Sequence, residues 1–340
     1  MILVWAKFLV CVLLVLFFGA RLSRYADVIA EKRGLSRIWI GLLLLAAVTS
    51  LPELITGIGA VAVVGVPDLA MGTIFGSNAL NLFIIALLDI LYRGGPLLTS
   101  AGMGHRLSGG LGILLIAFAG ASILLSTRVW GWAIGWVGIY SLVLVLLYFW
   151  GSRRIFQFER REQRGQEAGL KALRYERISS RRAYLSFAIA ALAIIGSGTW
   201  LAIIGDEIAV VTGWGATFVG SFFLAVTTSL PELVVAIAAL RLGAIDMAIA
   251  NMLGSNMFNM GIGIAGFDLF YRAGSIFSAA STSHVFTASI AILMTVIVIA
   301  GLISRPQRKT PLGMSWYSIA LIGVYIIGFY FLFNMGVAAG

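Results

Sequence analysis

Glu53 and Glu232 each close a Ser-Leu-Pro-Glu tetrapeptide, and each tetrapeptide lies inside a long apolar run. The surrounding stretches, AVTSLPELITGI at 47–58 and VTTSLPELVVAI at 226–237, are near copies. A carboxylate in the middle of a bilayer costs about 2.5–3.5 kcal/mol even on the lenient insertion scales. Two of them at matching positions need a compensating partner. No Lys, Arg or His stands in the central part of any apolar run, except Lys7 near the end of the first. The prolines add a second feature. Pro52 and Pro231 have no N–H and crowd the carbonyl four residues back, so each helix should kink and release carbonyls around Val48 and Thr227. Carbonyls released in hydrocarbon must be satisfied again, and a bound cation does that.

Further oxygen donors stand nearby. Thr49 and Ser50 precede the first kink, and Thr228 and Ser229 the second. A second repeated segment, GSNALN at 76–81 and GSNMFN at 254–259, carries Ser77 with Asn81 and Ser255 with Asn259. Each pair is spaced i, i+4 and so shares one helix face. Gly76 and Gly254 lack side chains and admit a close neighbouring backbone. The whole set is carboxylate, amide, hydroxyl and carbonyl, with no imidazole or thiolate. It suits a hard cation: Ca2+ with about six to eight oxygens, Na+, and less readily Mg2+ or Mn2+.

The elements that must hold these residues are membrane helices. Hydrophobic residues make up 60% of the 340, and the mean hydropathy is +1.01, far above a soluble domain. A spanning helix needs about 20 apolar residues. Ten such runs are present, near 4–20, 38–64, 68–92, 107–125, 129–150, 184–205, 214–240, 246–271, 284–303 and 314–335. The expected fold is an all-α integral membrane protein with ten transmembrane helices. The first run has no small-residue cleavage site after it and reads as a helix rather than a removed signal. The lone Cys11 lies in that run and excludes a disulfide framework.

The net charge of +10 is a matter of topology. Of 24 Lys and Arg residues, 21 fall in alternate connections between the runs; the others are Lys7, Arg128 and Arg272. By the positive-inside rule those connections are cytoplasmic and both termini lie outside. The basicity therefore does not indicate nucleic acid. A shift of 179 residues lays the first half on the second: Gly19 on Gly198, Asp27 on Asp206, Gly34 on Gly213, Gly41 on Gly220 and Glu53 on Glu232. Residues 41–58 and 220–237 share 10 identities in 18, and LLDILYRGG at 87–95 answers GFDLFYRAG at 266–274. Five runs per half is an odd number, so the second half enters the membrane from the opposite side. Inverted repeats of this kind place substrate at the midplane in many secondary transporters. The expected organisation is a first five-helix repeat at 1–150 with its key segment at 41–92, a basic cytoplasmic connection at 151–183, and a second five-helix repeat at 184–340 with its key segment at 220–272.

These residues carry a family likeness. ADVIAEKRGLS leading to TSLPEL, then GSNALN, and the second copy TSLPEL with GSNMFN, resemble the two alpha-repeats of the cation/calcium exchanger superfamily, most nearly the sodium/calcium exchanger type. The resemblance spans almost the whole chain. It implies an antiporter, not an enzyme, that exchanges Na+ for Ca2+ by alternating access without a cofactor, in the plasma membrane and as a monomer. Carried over by position, Glu53 and Glu232 would be the central ligands, with Asn81 and Asn259 completing the middle site. Thr49, Ser50, Thr228, Ser229, Ser77 and Ser255 would serve flanking Na+ sites, helped by the carbonyls of Ala46 and Ala225. Three positions depart from the family pattern. Val48 and Thr227 replace a usual glycine, Thr73 replaces an asparagine that Asn251 keeps, and Asn259 stands where potassium-dependent relatives have Asp.

Three other readings compete. A proton-coupled divalent antiporter would use the same glutamates, but its relatives usually carry a further glutamate in the second segment, where TIFGSN and NMLGSN have none. A passive cation channel would want ligand rings about an oligomer axis. A structural subunit would leave the paired glutamates unexplained. The remaining features read as ordinary: Asp68 and Asp246 as helix-start residues, His105 and His284 as histidines without a ligand partner at useful spacing, and 151–182 as a solvated connection of about 32 residues. That length is too short for a calcium-sensing β-sandwich of about 100 residues. No nucleophile, phosphate loop or redox group stands out.

Overall fold

The computed structural model describes residues 2–126, 133–166, 174–212 and 226–338. Among these the chain is all-helical apart from a two-residue antiparallel ladder, Ala133–Ile134 with Val137–Gly138. The principal helical segments are α1 (Ile2–Arg33), α2 (Arg37–Val64), α3 (Pro67–Leu91), α4 (Gly104–Ser126), α5 (Ile139–Gln166), α6 (Ser180–Thr212), α7 (Leu230–Arg241), α8 (Ile245–Phe258), α9 (Ile264–Phe270), α10 (Ser283–Ser304) and α11 (Trp316–Ala338). Seven helices among the described residues are long and apolar enough to cross a membrane, and Trp316–Leu332 is a shorter apolar stretch.

The sequence explains the boundaries. α1 ends on Lys32 and Arg33, whose charges suit a helix C-terminus, and Gly34 follows in the left-handed region. Gly65 and Gly243, 178 residues apart, turn the chain after α2 and α7 with φ of 75° and 74°. A side chain there would be strained, so the two tight reversals are matched glycine stops. α5 runs well past its apolar part to Gln166. Beyond it, the backbone N–H groups of Arg174 and Tyr175 donate to the Glu31 carboxylate, docking this stretch onto the end of α1.

α3 is the most deeply buried of the long helices and packs against α8, α10 and α11, while α1 lies along α6 at the periphery. α8 is joined to α9 through a π-helical turn at Asn259–Gly263, and α2 contains two more at Ile40–Leu45 and Ala60–Val64. Such turns are rare and concentrate at functional sites. Close backbone contact brings α2 to α8: a Cβ on Gly254 would press on the Leu42 carbonyl oxygen, and one on Gly41 would lie 2.5 Å from that of Met247.

Four polar residues that read as ordinary in the sequence tie the halves together. Asp246 lies 3.0 Å from His105 Nε2 and accepts the Gly102 N–H at 2.7 Å. Asp68 lies 2.9 Å from His284 Nε2 and accepts the Ser281 N–H at 2.6 Å. All members correspond under the 178–179-residue shift. Asp68 and Asp246 therefore bond across the halves, to partners 216 and 141 residues away, in addition to standing at helix starts. The His105 side chain is fully buried, whereas Asp68 is half exposed. Asp246→Ala removes the acceptor of two donors, one of them the fully buried His105 ring, at about 1–3 kcal/mol each; Asp68 is the more exposed carboxylate, 50% against 35% for Asp246, so water replaces it more easily. Thermal unfolding in detergent should therefore show a larger drop for Asp246→Ala than for Asp68→Ala. An equal or reversed order would contradict this assignment.

Candidate cation site

α2 breaks for one residue at Ser50, whose φ, ψ are −89°, 0°. Ser229 breaks the chain before α7 in the same way, at −88°, 5°. Pro52 and Pro231 then sit in the first turn of the restarted helix, where a missing N–H is no loss. The carbonyls that a proline four residues on cannot bond are those of Val48 and Thr227, one turn upstream. The Ala46 carbonyl already accepts the Ser50 N–H at 3.0 Å and the Thr49 hydroxyl at 3.4 Å. Ala225 lies outside the described residues.

The two breaks face each other and exchange partners. Ser50 donates to Glu232 Oε1 at 3.1 Å, and Ser229 donates to Glu53 Oε1 at 3.2 Å. The hydroxyl of Thr49 also faces Glu232, and that of Thr228 faces Glu53. Each carboxylate is thus held by the hydroxyl pair of the opposite half, although in the sequence the pairs stand beside their own glutamate. Ser77 Oγ lies 3.2 Å from Ser229 Oγ, which brings α3 into the cluster. Glu53 and Glu232 are 2% and 1% exposed and close enough to repel one another. Among the described residues neither has a salt-bridge partner, and Oε2 of each is buried without a hydrogen bond. Lys7 pairs with Glu207, at 2.9 Å.

Asn81 and Asn259 are both buried and bonded across the halves, Asn81 Nδ2 to Asn256 Oδ1 at 3.0 Å and Asn259 Nδ2 to Asn78 Oδ1 at 3.1 Å. The Asn81 Oδ1 atom and the Ser255 hydroxyl are buried without a partner. Ser255 follows Gly254 at the tight contact with α2. Asn251 Oδ1 lies 3.4 Å from the Thr49 hydroxyl, whereas Thr73, its counterpart in the first half, turns its hydroxyl back to the Leu69 carbonyl. The departure noted at Thr73 thus makes the two flanks of the site unequal. Sequence reasoning overlooked Asn78, Asn256 and Asn251 as part of this cluster. The available signal was that the third residue of Gly-Ser-Asn is itself identical in both copies.

The donor set fits a hard cation. Two carboxylate oxygens, one amide oxygen and one hydroxyl are buried and unpartnered, and leaving such groups unpaired is costly. Among the described residues, no group of three or more His, Cys, Asp or Glu side chains could hold a metal. A cation at this place would meet the two glutamates together with neutral oxygens.

Comparison with known proteins gives the family and the fold. Residues 3–151 and 182–334 match the family described as sodium/calcium exchanger protein. Over 330 residues the chain is 26% identical to the inner membrane protein YrbG of Escherichia coli, covering 96% of each chain. Over 110 residues, 32% of this chain and 29% of the relative, it is 32% identical to the sodium/calcium exchanger MaX1 of Methanosarcina acetivorans. It shares its fold with the sodium-calcium exchanger NCX_Mj soaked with 10 mM Na+ and zero Ca2+, at a TM-score of 0.72 and 20% identity over 96% of this chain and 98% of that one. With both segments matched across most of its length, this chain is a membrane protein of the sodium/calcium exchanger family.

Proposed function

We propose that the chain is a secondary active antiporter that exchanges Na+ for Ca2+ by alternating access. The observation that carries this reading is the pair of buried glutamates that, among the described residues, have no salt-bridge partner and keep one orphan oxygen each. In this reading ten transmembrane helices form two inverted five-helix repeats, with both termini outside and the basic connections cytoplasmic. Glu53 and Glu232 bind the divalent ion, Asn81 and Asn259 complete the middle site, and Thr49, Ser50, Ser77, Thr228, Ser229 and Ser255 serve Na+ beside it, with the carbonyls of Ala46 and Ala225.

Charge explains why the ions exclude one another. Two carboxylates are neutralised by one Ca2+ or by two Na+, so occupancy by one species removes the attraction for the other. Transport moves net charge only when more than two Na+ travel per Ca2+, and each net charge is then worth about 2.3 kcal/mol per 100 mV. The test is binding of radioactive Ca2+ to the purified protein, titrated with Na+. Displacement by Na+ with a Hill coefficient above one supports competition by at least two ions. Ca2+ that is displaced by acid but not by Na+ would favour proton coupling and overturn the sodium reading.

A further inference from the structure

Four asparagines meet at the centre of the molecule, and only two of them have a proposed role as ligands. Asn78 and Asn81 lie one turn apart on α3; Asn256, at the end of α8, and Asn259, at the start of the π turn, mirror them. They pair antiparallel, Asn81 with Asn256 and Asn78 with Asn259, and all are at most 2% exposed. Burying two extra amides costs free energy unless they are used.

An amide has two ends, and only the oxygen binds a cation. Rotation by half a turn about the last side-chain bond exchanges oxygen and nitrogen at little steric cost. Some neighbour must therefore decide which end faces the ion. Asn81 commits its nitrogen to Asn256 Oδ1, which leaves its own Oδ1 unpartnered and free to ligate. Asn256 cannot turn, because its Nδ2 donates to the Asn78 backbone carbonyl at 3.1 Å. Asn259 likewise commits its nitrogen to Asn78 Oδ1. The Asn78 arm is less constrained, since its own Nδ2 has no partner.

From this geometry we infer that Asn78 and Asn256 are positioning residues: each half of the chain sets the orientation of the other half's ligand amide. The inference rests on the exchanger reading and deepens it. Asn256, held at both ends, has the larger effect.

The test is a double-mutant cycle on Ca2+ uptake into proteoliposomes, with Asn81→Ala, Asn256→Ala and the pair. Asn256→Ala should raise the half-saturating Ca2+ concentration about tenfold, as expected for one lost charge-assisted contact, with the maximal rate changed far less. The double variant should be no worse than Asn81→Ala alone. Asn256→Asp, which keeps an acceptor for Asn81 Nδ2, should not reproduce the loss. Multiplicative losses in the cycle, or an unchanged half-saturation in Asn256→Ala, would overturn the inference. If Asn256→Ala does not give monodisperse protein, the same cycle on Asn78 and Asn259 decides it. A native chain without Ca2+ uptake under any gradient defeats the exchanger reading, and the inference falls with it; a native chain that transports and gives an additive cycle defeats the inference alone.

Discussion

Glu53→Gln and Glu232→Gln each weaken Ca2+ binding by about a hundredfold or more, equivalent to about 2.7 kcal/mol, and leave the ion-free protein at least as stable as the native chain. The two effects have opposite signs for one reason. Without an ion, the buried carboxylates repel each other and Oε2 of each lacks a partner, so neutralising one relieves the fold. With Ca2+ bound, the same change removes one of two negative charges that offset the ion's double charge in a site of low dielectric. The amide of Gln still accepts the cross-half hydroxyl, Ser229 at Glu53 and Ser50 at Glu232, so the local structure survives. Thermal unfolding with and without Ca2+ reads both effects together. Loss of stability in ion-free buffer would mean that the glutamates are structural rather than ligating.

Asp89→Ala acts on the fold itself and should abolish recovery of monodisperse protein. Asp89 is fully buried near the end of α3 and accepts five hydrogen bonds. They come from the Leu97 N–H, the Ser315 N–H and hydroxyl, the Tyr317 hydroxyl and the Ser318 hydroxyl, at 2.7–2.9 Å. Lys309 Nζ stands 4.0 Å away and also donates to the Asp89 carbonyl. One carboxylate thus pins the entry of α11 to the exit of α3. Its removal leaves five donors orphaned, at about 1–3 kcal/mol each, which is comparable with the whole stability of a typical domain. Its counterpart Asp268 accepts three bonds, from the Gly138 and Ile276 N–H groups and the Ser141 hydroxyl. Asp268→Ala should lower the thermal midpoint by less. A native-like midpoint in Asp89→Ala would refute this account of the node.

How much of this was legible beforehand follows from the range over which each interaction acts. The tetrapeptide copies, the helix breaks at proline and the oxygen-only donor set are local, and the sequence displays them directly. The flanking likeness of LLDILYRGG and GFDLFYRAG was visible as repetition, but the role of Asp89 and Asp268 depends on donors distant in the chain, at 315–318 for Asp89 and at 138–141 for Asp268. The exchange of hydroxyls between Glu53 and Glu232 was hidden because neighbours in the chain look like neighbours in space; the helix crossing reverses them. His105 and His284 looked partnerless because spacing within one element is all that a sequence offers, while their aspartates lie on the other half. The π turn after Asn259 has no local signature, since no Pro marks it.

The most direct test of the central claim is radioactive Ca2+ uptake into proteoliposomes preloaded with Na+, with outside Na+ removed, set beside the same vesicles carrying only a pH gradient. Uptake that requires the sodium gradient and disappears in Glu53→Gln and Glu232→Gln is the predicted result. Uptake driven by the pH gradient instead, or no Ca2+ movement under either, would contradict the assignment of this site to sodium–calcium exchange.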